Sequence, residues 1–291
     1  MRLPPFEYLE PRSVAEACAL LAQDPEGSAV FAGGTDLLVN LKERLVTYRR
    51  LIALQRIAGL GEIGFSEAEG LRIGAIATVN QVARHEAIGR HYPGIVDAAS
   101  SLAAEQVRNL ATVGGNLCSA VPSADLAPVL LALGARVRVV SPAGERLIPL
   151  RELFTGPRAT VLGRTDLLVA IEVPPAAAGV SSASMRQGGR ESLSLPWAIA
   201  AAAVTMEGDI CAEATVALGA VAPTPIIAAG VGELLAGRSL TAELLVEAGE
   251  IAAAAARPID DLRASKVHRL ELVRVLTRRA LARAAERAGK G

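Results

Sequence analysis

The chain has 291 residues, more than the ~100–200 typical of one domain, so two or three domains with ample core material are expected. Thirty Lys plus Arg balance thirty Asp plus Glu, and no whole-chain field attracts it to nucleic acid or to an acidic surface. Its many alanines and few aromatic residues favour close-packed helices and indicate nothing about chemistry.

The cysteines and the apolar runs set the expected cellular context. Cys18, Cys118 and Cys211 are too far apart for a CxxC metal site or a disulfide framework, which predicts a reduced, cytoplasmic protein with no metal ligands of its own. The longest apolar run, Leu195 to Thr205, has about half of the ~20 residues that a membrane span requires. We therefore expect a soluble chain without a membrane span.

The first 55 residues predict a small α/β unit. Three prolines among the first eleven residues favour an extended arm, and Ser13 with Glu16 forms a capping box for the helix that follows. Residues 29–34, AVFAGG, read as a short buried strand that enters a glycine segment. Thr35 or Asp36 is expected to cap a helix over residues 36–45.

Short strands and helices alternate from residue 51 to Pro175. Strands are predicted at 51–54 and 166–174, and two hairpins at 62–77 and 136–150. Helices are predicted over 80–88, after a capping box of Thr78 and Gln81, and from Pro93 to about Gln106. This alternation indicates an α+β or α/β layer structure.

Beyond Pro175 the composition changes, and we place a domain boundary there. Residues 176–194 are rich in small polar residues and glycine, which favours a linker or an active-site loop. Residues 195–206 and 210–221 flank a turn and predict a hairpin, although the alanines of the first arm also allow a helix. Helices are expected near 231–237, over 241–256 and over 265–288.

Two Gly-Gly segments carry the candidate chemistry. The central one, TVGGN from Thr112 to Asn116, precedes a predicted helix start at Ser123–Asp125 whose helix ends before Gly134. The other is FAGGTD, from Phe31 to Asp36. Adjacent glycines let a backbone reach φ > 0 and bring several N–H groups to an anion, so we expect the two segments to grip a diphosphate from both sides.

Neither segment matches a P-loop or a dinucleotide-binding G-x-G-x-x-G turn. Oriented amides and helix ends would therefore hold the phosphate, assisted by four short side chains: Thr35, Thr112, Asn116 and Ser119. Asp125 could accept hydrogen bonds from ribose or ribityl hydroxyls. The alternative interpretation is that each Gly-Gly pair only turns the chain.

At these residues the sequence resembles the FAD-binding (medium) subunit of molybdenum hydroxylases, the family of carbon monoxide dehydrogenase and xanthine dehydrogenase. The resemblance runs over nearly the whole chain and is carried by ordered blocks: AGGTD (32–36), TVGGN (112–116), SADLAP (123–128), DLLVAIEVP (166–174), LGAVAPTP (218–225), ELLAGRSL (233–240) and RPIDDLRAS (257–265).

The resemblance implies an α+β fold with two domains. Residues 1–175 would form a PCMH-type (vanillyl-alcohol-oxidase-like) FAD-binding domain with subdomains at about 1–55 and 56–175. Residues 176–291 would form a smaller C-terminal domain with a three-stranded antiparallel sheet and helices.

The resemblance also implies the residues that bind FAD. The pyrophosphate would be bound by Phe31, Ala32, Gly33, Gly34, Thr35 and Asp36 and by Thr112, Val113, Gly114, Gly115 and Asn116, with Ser119 nearby. Asp125 would bind a sugar hydroxyl and Leu168 would line the isoalloxazine or adenine end. Arg186 stands where relatives often have a lysine near the flavin. Trp197 either stacks on the flavin or is a buried strand tryptophan.

The function implied is electron transfer within a hetero-oligomer. Electrons from 2Fe-2S clusters of a small subunit would enter FAD and leave to an external acceptor, which would be NAD, quinone or oxygen. Substrate oxidation would occur on a large subunit that carries the molybdopterin cofactor, so this chain needs no catalytic acid or base. Two alternatives are a self-sufficient flavin oxidase or reductase and a non-catalytic nucleotide-binding scaffold.

Other residues allow more than one interpretation. Cys118 is either a thiol whose pKa the helix N-terminus lowers or a small buried side chain. His85, His91 and His268 are expected to be structural or solvated. Glu105, Gln106 and Arg108 either order the central glycine segment or face a partner. The basic stretch 257–290, with ten Lys or Arg against four Asp or Glu, is a solvated helix face or a docking surface for an acidic subunit.

Overall fold

The computed structural model of the chain describes residues 3–176, 179–190 and 192–289. Parts of three predicted segments lie outside these described residues: Met1 and Arg2 of the extended arm, Ala177, Ala178 and Glu191 of the linker, and Lys290 of the basic C-terminal stretch. No helix within the described ranges is long and apolar enough to cross a membrane.

The N-terminal region, residues 3–176, alternates short strands and helices. In chain order its elements are β1 (Glu7–Leu9), α1 (Val14–Gln23), β2 (Ser28–Phe31), α2 (Leu37–Lys42), β3 (Arg50–Ala53), β4 (Ile63–Ser66), β5 (Gly70–Gly74), α3 (Val79–Arg84), α4 (Glu86–His91), α5 (Pro93–Ser101), α6 (Glu105–Arg108), α7 (Val113–Cys118), α8 (Leu126–Ala132), β6 (Arg136–Ser141), β7 (Gly144–Pro149), α9 (Leu150–Leu153), β8 (Phe154–Gly156), β9 (Ala159–Thr160) and β10 (Leu167–Val173).

The first sheet has three parallel strands in the order β1-β3-β2. The predicted extended arm supplies β1, where Tyr8 pairs with a residue of β3. Ser13 caps α1, because its hydroxyl accepts the amide of Glu16 at 3.1 Å. The predicted capping box is incomplete, since the Glu16 side chain accepts the amide of Arg12 at 2.7 Å and not that of Ser13. Leu21 of α1 packs in one apolar cluster with residues of β3 and β10. The sheet thereby fixes the end of β2, at Phe31, from which the first glycine segment leaves.

The second sheet has five antiparallel strands in the order β4-β5-β10-β6-β7. Both predicted hairpins of this region are confirmed, as β4–β5 and β6–β7. The predicted capping box is also confirmed: the Thr78 hydroxyl accepts the amide of Gln81 at 3.2 Å, and the Gln81 side chain accepts the amide of Thr78 at 2.7 Å. Gly134 follows α8 with φ +68, as a glycine that ends a helix should.

Three predicted helices are shorter than the sequence pattern indicated. The helix after the first glycine segment ends at Lys42, since Arg44 has φ +61 and cannot continue a right-handed helix. The helix predicted over 80–88 is interrupted at His85, whose backbone is extended. The helix from Pro93 ends at Ser101, and Ala103 with φ +45 separates it from α6.

The C-terminal region, residues 179–289, is one antiparallel sheet covered by helices. Its elements are β11 (Val180–Gly188), β12 (Pro196–Glu207), β13 (Ile210–Gly219), β14 (Ile226–Ile227), α10 (Val231–Leu235), β15 (Arg238–Ser239), α11 (Ala242–Ala255) and α12 (Lys266–Ala288). The predicted hairpin is confirmed as β12–β13, so the first alanine-rich arm is a strand and not a helix. Apolar side chains of α11 and α12 form one cluster with β12 and β13.

The prediction of a linker or active-site loop over residues 176–194 is wrong for residues 180–188, which form β11. Small serines and alanines resemble a loop in the sequence, but here they allow close approach on both faces of the strand. Ser182 is fully buried and its hydroxyl accepts the amide of Gly94 in α5 at 3.1 Å, whereas Ala183 packs into the cluster formed with α11 and α12. The strand therefore joins the two regions.

A bidentate ion pair also connects the C-terminal region to α5 of the N-terminal region. Arg287, near the end of α12, donates to the Asp97 carboxylate of α5 at 2.7 and 2.9 Å, and to the Ser182 carbonyl at 2.8 Å. Arg283 lies 3.3 Å from the same carboxylate. Because Asp97 is 13% exposed, these arginines supply contacts that water supplies to an exposed carboxylate.

Replacing Arg287 by glutamine should lower the free energy of unfolding by about 2 kcal/mol, because three hydrogen bonds are lost and the largely buried Asp97 carboxylate is left with Arg283 and the Ser184 amide. Urea denaturation measures this. The matched control is Arg279→Gln, on an exposed arginine of the same helix that forms no ion pair with any described residue; its effect should stay within about 0.5 kcal/mol. Equal effects of the two substitutions would contradict the assignment.

Candidate functional site

The two glycine segments border one cavity of about 700 Å³. This volume lies in the range of sites that enclose large organic ligands. Most of the residues predicted from the sequence line it: Ala32, Gly33, Gly34, Thr35, Asp36, Thr112, Gly114, Gly115, Asn116, Ser119, Asp125 and Leu168. The other four predicted residues, Phe31, Val113, Arg186 and Trp197, do not border it.

The first glycine segment is a loop with free amides. Gly34 has φ +70, and a Cβ there would lie 2.6 Å from the Phe31 ring, so the loop requires glycine for both conformation and space. The Gln55 side chain donates to the Ala32 carbonyl at 2.6 Å and holds the loop from outside. Within the described residues, the amides from Gly33 to Asp36 donate no hydrogen bond. Four adjacent N–H groups are thus left for an anion.

The expectation that Asp36 or Thr35 caps the next helix is wrong. Asp36 occupies the N-cap position of α2, but its side chain makes no capping hydrogen bond. Its carboxylate instead accepts from the Asn40 side chain at 3.0 Å and lies 3.4 Å from Arg158. The carboxylate is therefore partly neutralised, and the N-terminal amides of α2 are not filled by a protein side chain.

The second glycine segment differs from the prediction, because it is the first turn of α7 and not a loop of free amides. Neither Gly114 nor Gly115 has a positive φ. The amides of Val113 and Gly114 donate to carbonyls of residues 77 and 75 at 3.0 and 2.9 Å, and that of Gly115 donates to the Thr112 hydroxyl at 3.1 Å. These N–H groups are already satisfied, so only the first segment offers an amide cradle.

Glycine at position 114 serves close packing. A Cβ there would lie 2.6 Å from the Ala75 carbonyl oxygen, so α7 can lie against this segment only without a side chain. Val113 is buried in the core on the opposite side. In the same way, a Cβ at Gly33 would lie 2.0 Å from the Leu110 carbonyl oxygen. Each glycine segment therefore packs directly against the backbone of a neighbouring segment.

Two residues that line the cavity, one on α7 and one at the start of α8, carry buried polar atoms without protein partners. The side-chain oxygen of Asn116 is buried and accepts no hydrogen bond from any described residue. Asp125, at the start of α8, is buried at the cavity wall, and burial raises the pKa of its carboxyl to about 6 although the nearby Arg186 guanidinium opposes this shift. Buried polar atoms normally have partners, so both atoms favour a polar ligand in the cavity.

Three further predicted residues occupy positions that the sequence left open. Leu168 of β10 lies on an apolar wall of the cavity. The Trp197 ring packs edge-on against His268, with centroids 5.5 Å apart, so its stacking on a flavin stays a prediction. The Phe31 ring packs edge-on against Tyr8 beneath the first glycine segment, with centroids 5.8 Å apart.

Cys118 lines the cavity. The interpretation of a lowered pKa is wrong, since desolvation by the surrounding protein raises the pKa of its thiol to about 12. His91 stacks on Phe65 at 4.3 Å, which agrees with a structural role.

A second set of residues that line the cavity was not predicted from the sequence. Tyr48 precedes β3, Arg164 and Asp166 precede β10, and Leu193, Ser194 and Leu195 come from the C-terminal region. For Arg164 and Asp166 the local sequence offered one indication of a turn, the glycine at position 163. Tyr48 and residues 193–195 reach the cavity through the strand order and the contact between the two regions, which no short sequence pattern predicts.

The fold and the cavity define a two-region α+β protein with an anion-compatible cavity that residues of both regions line. Residues 4–176 match the family described as the FAD binding domain in molybdopterin dehydrogenase, and residues 183–284 match the CO dehydrogenase flavoprotein C-terminal domain. The chain therefore belongs to the FAD-binding flavoprotein family of molybdopterin dehydrogenases.

Relatives match over the full length. The chain is 32% identical to the xanthine dehydrogenase FAD-binding subunit of Escherichia coli O157:H7, covering 97% of each chain. It is also 32% identical to the carbon monoxide dehydrogenase medium chain of Afipia carboxidovorans, covering 97% of this chain and 98% of the relative. A solved structure of carbon monoxide dehydrogenase from Hydrogenophaga pseudoflava aligns with a TM-score of 0.94 at 31% identity over 99% of both chains.

These findings confirm four predictions from the sequence. The family resemblance, the fold class of a flavin domain followed by an antiparallel sheet with helices, FAD as the cofactor and the oxidoreductase class are all supported. The free amides at Gly33–Asp36 and the unpartnered Asn116 oxygen fit a dinucleotide with a diphosphate and several hydroxyls.

Replacing Gly33 by alanine should disturb both glycine segments, because the new Cβ would strike a backbone carbonyl that has no room to move. We expect a loss of about 2 kcal/mol in stability and about tenfold weaker FAD binding. Thermal unfolding and titration of flavin fluorescence measure the two effects. Gly64→Ala, where the added Cβ meets nothing within 4 Å, is the control and should change neither.

Proposed function

We propose that this chain is the FAD-carrying electron-transfer subunit of a molybdenum hydroxylase complex. It receives electrons from 2Fe-2S clusters of a small subunit and passes them to an external acceptor such as NAD, quinone or oxygen. A separate molybdopterin-bearing subunit oxidises the substrate. Relatives described as an FAD-binding subunit and as medium chains support membership of a multi-subunit complex. A reduced, cytoplasmic location agrees with three free cysteines.

The observation that carries the proposal is a set of four adjacent amides without protein acceptors, in residues that line a cavity of about 700 Å³. The amides of Gly33, Gly34, Thr35 and Asp36 would bind the pyrophosphate, and Phe31 supports them from beneath. Since the α7 amides are already satisfied, the α7 side of the site binds through other groups. There Gly114 and Gly115 leave a surface without Cβ atoms, and Thr112, Asn116 and Ser119 supply side-chain oxygens.

Bound FAD supplies the redox chemistry, and the protein supplies position, polarity and access. Asp125 would accept a hydrogen bond from a sugar hydroxyl, since it borders the cavity and its Oδ1 atom has no hydrogen-bonding partner among the described residues. Leu168 would exclude water from a ring of the ligand. We further propose that Pro175 divides an FAD-binding domain, with subdomains at about 1–55 and 56–175, from a C-terminal domain of residues 176–291.

The test is to purify the full chain and measure its flavin content, its reduction and its turnover alone. The proposal expects one FAD per chain, bleaching of the visible flavin absorbance on chemical reduction, and little turnover of substrate until the iron-sulfur and molybdopterin subunits are added. Substrate turnover by the chain alone would instead establish a self-sufficient oxidase or reductase. A colourless chain that cannot be reconstituted with FAD would establish a scaffold.

Asn116→Leu tests the contribution of the unpartnered oxygen. Removing a buried acceptor that only the ligand satisfies should weaken FAD binding by about tenfold to a hundredfold, while the stability of the apoprotein stays equal or rises. Flavin titration and thermal unfolding of the apoprotein measure this opposite pair of effects.

Asn80→Leu is the matched control for Asn116→Leu, since it removes an asparagine whose side chain already has protein partners. The Asn80 amide is already bonded to Asn109 at 2.5 Å and accepts from Arg108 at 3.1 Å, so its loss should lower stability. Unchanged FAD affinity in Asn116→Leu would remove this residue from the proposed site.

A further inference from the structure

Arg186 connects three segments that the sequence separates widely. It lies on β11 in the C-terminal region, and its side chain is 11% exposed. One terminal nitrogen donates to the Ser101 carbonyl at the end of α5, and the other donates to the Ser194 carbonyl in the turn that lines the cavity. Its Nε lies 3.2 Å from Asp125 Oδ1. The guanidinium itself does not border the cavity.

The arginine and the aspartate form an ion pair without a hydrogen bond. Neither Arg186 Nε nor Asp125 Oδ1 has a hydrogen-bonding partner among the described residues, although the two atoms are close. The pair therefore interacts by charge, and Oδ1 accepts no hydrogen bond from the arginine. Asp125 lines the cavity, so a ligand there would meet a carboxylate that Arg186 faces from behind.

The other elements around Asp125 add little charge. Asp97 of α5 is already bound by Arg287, and the Cys118 thiol of α7, with its pKa near 12, is neutral across the range of interest. The turn at 192–195 presents the Ser194 carbonyl, which Arg186 engages. Of the described residues, Arg186 is thus the charge that opposes the effect of burial on Asp125.

We propose that Arg186 is a positioning residue of the flavin site, which keeps the Asp125 carboxylate ionised and directed at the cavity from behind its wall. This inference rests on the proposed function, since the ligand concerned is FAD. It gives Arg186 an indirect role in place of direct contact with the flavin. It also makes the affinity for FAD dependent on pH, because a protonated Asp125 loses its charge-assisted hydrogen bond to a hydroxyl.

The sign follows from the direction of the two influences on Asp125. Burial favours the protonated carboxyl and Arg186 favours the carboxylate, so FAD affinity should fall as the pH is lowered through about 6. Without the arginine, only the hydrogen bond from the Asp125 backbone opposes burial, and the same loss of affinity should occur at a higher pH. With asparagine at position 125 no carboxyl titrates, and the dependence should disappear.

The experiment is FAD titration of the full apoprotein, followed by quenching of flavin fluorescence, at a series of pH values from 5 to 9. The variants are Arg186→Gln, Arg186→Lys and Asp125→Asn, with Arg287→Gln as a matched control that also cuts an Arg–Asp pair between the two regions. We expect Arg186→Gln to raise the midpoint by about one pH unit or more, and Arg186→Lys to restore it partly. Asp125→Asn should bind weakly at every pH.

The outcomes separate this inference from the proposed function. Absence of FAD binding by the wild-type chain would contradict the proposed function itself. Wild-type binding together with an unshifted midpoint in Arg186→Gln, or with a wild-type pH profile in Asp125→Asn, would overturn the role of Arg186 alone. If Arg186→Gln does not fold, the profiles of Arg186→Lys and Asp125→Asn still decide, and an equal midpoint shift in Arg287→Gln would assign the effect to general loosening.

Discussion

Backbone contact at two glycines holds the candidate site together. Gly33 lies against the Leu110 carbonyl and Gly114 against that of Ala75, at distances that a Cβ would not allow. The first contact joins the small parallel sheet to the segment before α7, and the second joins α7 to the end of β5. These close backbone contacts bring the two glycine segments to the border of one cavity, which their missing side chains leave unfilled. Glycine therefore acts here mainly through the absence of a side chain, and through backbone conformation only at Gly34.

The two sides of the cavity offer different hydrogen-bonding groups to a ligand. The first segment turns away from its own strand and leaves its amides free, while α7 uses its first amides to bond to residues 75–77 and to its own cap. One side can thus bind an anion by backbone dipoles, and the other offers side-chain polar groups such as those of Asn116 and Ser119. A diphosphate would meet an asymmetric site, in which most of the favourable electrostatics comes from one loop.

Features that depend on neighbouring residues could be predicted from the sequence. The Thr78 capping box, the hairpins and the termination at Gly134 each follow from a few residues, and all are confirmed. Strand β11 could not be predicted, because its serines are buried only by packing between α5 and α12. The satisfied amides of α7 were missed for a similar reason, since their acceptors lie on a segment almost forty residues earlier. The pairing of Asp125 with Arg186 spans two regions and leaves no local pattern.

The ionised Asp125 carboxylate would favour ligand binding, but it lowers the stability of the protein without ligand. A carboxyl with an ordinary pKa of 3.8 when unfolded and about 6 when folded binds more protons in the folded state between those values. Its contribution to stability is therefore present at low pH and is lost as the pH rises through about 6, and a difference of two pKa units corresponds to roughly 3 kcal/mol. At neutral pH the folded apoprotein carries this penalty. A ligand hydroxyl that donates to the carboxylate would relieve part of it, so binding energy would come from a group that destabilises the empty cleft.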